Sequence, residues 1–428
     1  MATIAAERPR RRLHWAAGLA LAALVGSCAR LERGGPIAVA SPQTTMPRVR
    51  VGLSVGVASL EVGGGAALRV TQPDGSPVGR IPAGIRATAT LAASGIAIRS
   101  SASGFPVLDA FTLTPEDTGY VRIDGRDYRG AVDLVRIGGG LLASNLVTVE
   151  DYVAGVVTAE MGRRAPEEME ALRAQAVISR TVAVRAIGRA PGRGYDLLAT
   201  VADQAYLGVG SELDQGRQVV TDTRGIVLLW EGRVIDAFYH STCGGRTAEP
   251  TEIFPGAGGR PYLRSVSDQS PTGASWCAIS PRYRWREEWS GTEMAASLRE
   301  GTPTTLTGPL SPGGISRIRD VVITARGGTG RVQAITIYHG DGAAPVAGAN
   351  LVRQVLRPVS GGMLRSSHFT LHATRSGDQL ARLVAEGQGA GHGVGMCQWG
   401  AVGRARAGHD WEAILAGYFP GAVPGRLY

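Results

Sequence analysis

The stretch Pro166-Glu167-Glu168-Met169-Glu170-Ala171-Leu172-Arg173-Ala174-Gln175-Ala176-Val177-Ile178-Ser179-Arg180 reads as a helix from its first turn. Proline is tolerated there because its missing N–H would have no partner, and the two acids sit at the positive end of the helix dipole. Leu172, Gln175, Ala176, Ser179, Val182, Ala183 and Ala186 recur at helical spacing, and Gly188 and Pro191 stop the run. Helical character begins earlier, near Val149. Before it, from Arg48 to about Leu146, the chain reads as short strands. Val49, Val51, Leu53 and Val55 alternate, as do Val121 with Ile123 and Val132 with Leu134, between turn signals at Pro73-Asp74-Gly75, Asp124-Gly125 and Gly138-Gly139-Gly140. After it, strands are expected at Ile226–Trp230, Val234–Tyr239, Ile318–Thr324 and Val332–Tyr338. Two helices close the chain, one between Gly395 and Gly408 and one from an N-cap at Asp410 to Tyr418. Strands and helices mix without regular βαβ units, so the class is α+β.

The 428 residues leave room for two or three domains. Hydrophobic residues at 44% and charged residues at 19% exclude wholesale disorder. The net charge is +9, and all 45 basic residues are arginine, which suits an anionic partner. Aromatics at 6% without basic interleaving argue against nucleic acid. Four cysteines are too few for a disulfide scaffold. Arg8 and Arg10–Arg12 precede an apolar run, Leu13–Val25, of the length of a secretory signal. It ends in Val25-Gly26-Ser27-Cys28, which resembles a lipobox, with Cys28 as the lipidated residue. Ordinary cleavage or a signal anchor is the alternative. The expected organisation is a leader at 1–28, a linker at 29–47, a β-rich region at 48–125 and a main domain at 126–428, exported to the periplasm or cell envelope with a lipid anchor in the membrane.

Four segments carry a resemblance. They are Asp151-Tyr152-Val153-Ala154-Gly155-Val156-Val157-Thr158-Ala159-Glu160-Met161; Ala171 to Thr181; Tyr239-His240-Ser241-Thr242-Cys243-Gly244-Gly245; and Gly391-His392-Gly393-Val394-Gly395-Met396-Cys397-Gln398-Trp399-Gly400-Ala401. In this order they resemble the SpoIID/LytB family of peptidoglycan-acting proteins, from about Tyr128 to Tyr428. The resemblance implies a SpoIID-like mixed α/β domain. It also implies a cell-wall role, either as a lytic transglycosylase on peptide-stripped glycan strands or as a non-enzymatic enhancer of a wall amidase.

Cleaving a glycosidic bond needs a proton delivered to the leaving oxygen, which a carboxylic acid in a partly desolvated place can do. The family's catalytic acid falls on Glu160, which follows the apolar Val153, Val156 and Val157. Arg173 and Arg180 lie seven apart, two turns along one helix face, and could bind wall carboxylates or orient the acid. The alternative for both is an ordinary ion pair. The family usually has lysine at the Arg173 position. His392 lies among glycines that let backbone approach a ligand closely. With His240, Gln398 and Trp399 it belongs to the implied substrate cleft. Tyrosine is common in the family where Trp399 stands, so the sugar-stacking face stays and the phenol is lost.

No cofactor is required by this chemistry, but zinc is possible. His240, Cys243, Cys277 and Cys397 would complete a tetrahedral site, and some family members carry zinc near the cleft. Alternatively Cys243 and Cys277 form a disulfide, worth about 4 kcal/mol in the chain-entropy model, with Cys397 free. A thiol nucleophile paired with His240 or His392, as in a cysteine peptidase, is the third reading. Serine is frequent at the Cys243 and Cys397 positions in the family and counts against it.

Overall fold

The protein is described by a computed structural model at residues 37–38, 45–102, 104–301, 317–340 and 342–428. Cys28, the leader and nearly all of the expected linker lie outside the described residues. The fold is α+β, 25% helical and 37% strand, with a β-rich N-terminal part.

That part is two antiparallel-rich sheets. A seven-stranded sheet runs Leu197–Leu198, Arg48–Val57, Gly140–Thr148, Ala131–Ile137, Ala110–Pro115, Leu68–Thr71, Pro77–Ile81, and a five-stranded sheet is centred on Ser59–Gly63. The larger sheet includes strands on both sides of the expected 125/126 boundary. One core joins both sheets to the helices, from Val49, Phe111 and Ile98 to Tyr152, Leu172 and Tyr418. Alternation in the first strand holds at Val49 and Val51 only. A register shift between Gly52 and Ser54 turns the strand, so that Val55 faces solvent.

Helix α1 (Val149–Met161) starts on Thr148, whose hydroxyl accepts the Asp151 N–H, and stops at Gly162 with φ +67°. Helix α2 (Met169–Ala186) follows a single 3₁₀ turn at Pro166–Glu168. It is buried all round at its middle, from Ala174 to Thr181, rather than along one face. It packs against α1, helix α3 (Asp214–Asp222), the closing helices Gln398–Arg406 and Trp411–Tyr418, and the strand Ile226–Trp230. Asp410 caps the last helix by accepting the Ala413 N–H. The expected 234–239 strand is broken. Val234 ends one strand, Tyr239 starts another, and the backbone between them is irregular.

The two-residue strand Tyr239–His240 runs parallel to Met396–Cys397, pairing Tyr239 with Met396 and His240 with Cys397. This register brings together two motifs more than 150 residues apart. Between them lies a second, separate core of Trp285, Trp289, Leu298, Ile335, Val352 and Leu383. It is built on two three-stranded sheets within residues 284–388, inside the region read from sequence as one domain. Buried Arg331 ties this unit to the main body by donating to the carbonyls of Cys243 and Arg246, both at 3.0 Å. No helix among the described residues is long and apolar enough to cross a membrane.

Arg180 has no exposed surface. Its Nε and Nη2 grip the two oxygens of Glu150 at 3.0 and 2.7 Å, and further bonds reach the carbonyls of Val220 and Ile226. Removing one member of such a pair strands a buried charge, which costs about 3–5 kcal/mol. Arg180→Ala is therefore expected to lose that much in urea unfolding, and a loss below about 1 kcal/mol would remove this reading.

Candidate active site

Glu160 ends α1 at the wall of a cavity of about 750 Å³, with His240, His392, Gln398 and Trp399 also on its lining. Five of the expected site residues thus share one cleft. Arg173 and Arg180 do not line it. Arg173 is held by Glu170 at 2.6 Å and Asp222 at 2.8 Å on the outer side of α2. Arg180 is consumed inside the core by Glu150, because the middle of α2 is enclosed on every side.

The carboxylate of Glu160 is held asymmetrically. Its Oε1 accepts the Ala205 N–H at 2.7 Å and the Tyr239 hydroxyl at 2.8 Å. Among the described bonds Oε2 has none. Tyr239 accepts from the Gln204 amide at 3.3 Å, and Gln204 in turn accepts from the Tyr152 hydroxyl at 3.2 Å. Burial and the nearby carboxylate charge push both phenols well above their ordinary values, so both remain donors. Oε1 therefore faces donors only, and a proton on this acid resides on Oε2.

His392 supports this arrangement from behind. Its Nδ1 accepts the Val394 N–H at 3.1 Å, and its Nε2 lies 2.8 Å from the Tyr239 carbonyl. A carbonyl can only accept, so the ring carries its hydrogen on Nε2. Both nitrogens are occupied, which makes His392 a positioning residue for the Tyr239 backbone. Two of the glycines after it are required by the same packing, while Gly391 lies on the cleft lining. Gly395 has φ +73°, and a β-carbon there would collide with the Phe238 carbonyl. Gly393 has φ +88° and lies against the Arg331 guanidinium. Gln398 donates to Gln175 at 3.3 Å, and one face of Trp399 is covered by the Arg164 guanidinium, 4.7 Å from its ring. Arginines 164, 185, 189, 193 and 282 stand on the cleft lining against Asp196, Asp203 and Asp236. Asp236 is bound by Arg185, Arg189 and Arg260.

The thiols form a separate buried cluster. Cys243, Cys277, Cys397 and Asp268 offer ligand atoms all within 4.8 Å of one another. His240 is not in this group, contrary to the sequence expectation. Its Nδ1 lies 3.1 Å from the Val394 carbonyl, and Asp268 takes the fourth place. Cys243 and Cys277 are free thiols with sulfurs 3.5 Å apart. Backbone N–H groups of Cys243 and Gly400 point at the Cys397 sulfur, each at 3.2 Å. Burial raises the Cys243 and Cys397 thiols, while hydrogen bonds from these two draw Cys277 down. Asp268 is anchored on its other oxygen by the Tyr418 hydroxyl at 2.6 Å.

Sequence reasoning missed Tyr239, Ala205, Gln204 and Asp268. Tyr239 stood inside a quoted motif, where the adjoining His and Cys drew the chemical reading. Gln204, Ala205 and Asp268 lie on irregular segments without any pattern, and only the folded chain brings them in.

His392 is held down to about 4, first by burial and then by the charges of Arg353 and Arg331. As pH falls, the unfolded chain takes up this proton first, near the ordinary 6.5. The stabilisation is complete above 6.5 and is lost on descending toward about 4. Denaturant midpoints of wild type should therefore fall more steeply from pH 7 to pH 5 than those of His392→Gln. Parallel curves would assign the slope to other groups.

Residues 138–230 match the family described as Stage II sporulation protein, and residues 275–395 match a domain of unknown function, DUF8618. An uncharacterized protein of Brachyspira hyodysenteriae is 28% identical over 318 residues, covering 74% of each chain. Stage II sporulation protein D of Bacillus subtilis is 27% identical over 290 residues, 64% of this chain and 74% of the relative. The amidase enhancer of Bacillus subtilis is 25% identical over 330 residues, 71% of this chain but 44% of the relative. The 138–230 segment, which carries Glu160, Arg173 and Arg180, matches the SpoIID family model, and the chain is similar to stage II sporulation protein D and to the amidase enhancer.

Proposed function

We propose that this is an exported cell-wall protein, lipid-anchored through Cys28, that cleaves peptide-stripped peptidoglycan glycan strands as a lytic transglycosylase. The observation that carries the reading is the one-sided hold on Glu160, which lines the cleft with Oε1 fixed by Ala205 and Tyr239 and Oε2 without a bond among the described residues. Protonated Glu160 gives its proton from Oε2 to the glycosidic oxygen as the bond to the anomeric carbon breaks. The C6 hydroxyl of the same muramic residue then attacks that carbon and returns its proton to the carboxylate. One carboxyl serves as acid and then as base, no water is consumed, and the product ends in a 1,6-anhydro ring. The arginines of the cleft lining suit a glycan that bears lactyl carboxylates.

The similarity to an amidase enhancer supports a second reading, in which the same cleft binds glycan without cutting it and assists a wall amidase. Glu160→Gln separates the two, because an amide cannot donate and retrieve the proton. Turnover of stripped glycan, followed by mass spectrometry of anhydro ends, should fall at least ~10²-fold while glycan binding persists. Wild-type turnover in the variant would displace Glu160 as the acid. Binding without cleavage by the wild type would favour the enhancer reading.

We further propose that Cys243, Cys277, Cys397 and Asp268 hold a structural zinc ion. Four ligands around zinc with sulfurs 2.3 Å from the metal place those sulfurs about 3.8 Å apart, close to the 3.5 Å between Cys243 and Cys277. The Tyr418 bond to Asp268 is the outer support that such a ligand needs. Elemental analysis should find about one zinc per chain. A metal-free protein with a Cys243–Cys277 bridge in non-reducing peptide maps would assign the thiols to a disulfide.

A further inference from the structure

The inserted unit carries a concavity of about 660 Å³ on the outer face of its three-stranded sheet. Arg284 and Arg286 project there from the strand Arg284–Ser290, since alternate residues of a strand share a face. Their cross-strand partners on Gln379–Gln388 are Gln388 and Glu386. Arg326 joins from the second sheet of the unit, while Trp285 and Phe369 alternate onto the core side of their strands and form the floor beneath.

The charges are unbalanced. Arg286 meets Glu288 at 2.8 Å and Glu386 at 3.5 Å. Arg284 stacks on Tyr283, 5.4 Å from the ring, and reaches only the Gln388 amide oxygen, at 3.5 Å. Arg326 donates to the carbonyls of Gly330 and Phe369, both at 2.8 Å. Neither Arg284 nor Arg326 meets a carboxylate in the described ion pairs. His368 on the same lining is held down to about 4, first by burial, and adds hydrogen bonding without charge.

The concavity and the cleft are lined by residues close together in the chain. Arg282 lines the cleft and Arg284 the concavity; on the other strand Ala390 lines the cleft and Gln388 the concavity. The Gly389 N–H bonds the Tyr283 carbonyl at 2.9 Å just beyond the end of the paired strands, between these two sets of residues.

We propose that this concavity is a distal subsite for the same glycan strand, where Arg284, flanked by Arg286 and Arg326, takes a lactyl carboxylate of a saccharide beyond those in the cleft. This rests on the glycan reading of the cleft. It gives the inserted unit a function, that of lengthening the stretch of strand the protein reads.

The test compares the full exported chain carrying Glu160→Gln, so that strands stay uncut, with the same chain also carrying Arg284→Ala and Arg286→Ala. Both arginines are exposed, and the short-fragment affinity reports that the cleft is intact. Long stripped glycan should bind the parent more tightly than a tetrasaccharide, and the two substitutions should weaken the long strand ~10-fold while leaving the tetrasaccharide unchanged. Chito-oligosaccharides of the same length as the long strand lack lactyl carboxylates, and their affinity should not respond. Equal affinity for long and short glycan in the parent, or an unchanged long-strand affinity in the variant, overturns the subsite and leaves the cleft reading standing. Equal weakening of the chito-oligosaccharides overturns the carboxylate recognition. No binding of any glycan by the parent removes the cleft reading and the subsite together.

Discussion

The buried pair of Arg180 and Glu150 is the constraint on which the helical half of the molecule rests. A guanidinium without solvent contact is tolerable only when its donors are all engaged, and here they reach Glu150, Thr223 and the carbonyls of Val220 and Ile226. Glu150 is as fully used, since it also accepts the Gly225 N–H and the Tyr428 hydroxyl, both on Oε1. One ion pair thus sets α1 against α2 and gathers the end of α3, the 226–230 strand and the C-terminal residue. Glu160 sits ten residues after Glu150 on the same helix, so the phase of the acid at the cleft follows from an anchor in the first turn of α1.

The other half of the cleft depends on a much slighter element. Two residues of parallel pairing, Tyr239 with Met396 and His240 with Cys397, place the Tyr239 phenol on Glu160 and Cys397 beside Cys243. So short a ladder has little stability of its own. It is held from one side by His392 on the Tyr239 carbonyl and from the other by the thiol cluster under Cys397. The acid's geometry and the thiol cluster are therefore two ends of one small structure.

What could be read in the sequence follows the range of the interactions concerned. The helix at 166–186, the Asp410 cap, the strand at 226–230 and the strand expected at 318–324, which runs on to Arg326, were legible because proline, a capping carboxylate and local periodicity act over a few residues. Glu160, His392, Gln398 and Trp399 were legible as members of one cleft because their motifs survive as contiguous words. Arg173 and Arg180 look alike in sequence, yet one lies outside and one inside, because the enclosure of α2 is decided by helices and strands far along the chain. Asp268 was invisible for the same reason. A carboxylate on an irregular segment joins three cysteines only after residues 243, 277 and 397 have met. The second core was hidden too, since its strands read like those of the domain that contains it.

The inserted unit enters and leaves the main body through neighbouring backbone positions, as Arg284 and Gln388 face each other across adjacent strands. A segment with that geometry is a detachable module. It can be enlarged, shrunk or exchanged without altering the spacing of the chain on either side, and Glu160, Tyr239 and His392 all lie outside it. Its ties to the body among the described residues include Arg331 on two carbonyls, Thr329 on Glu252 and the Arg365 carbonyl on the Gly391 N–H. The architecture therefore lets the inserted unit change in size and surface while the chain around Glu160 keeps its spacing, so that two parts of one molecule are free to vary at different rates.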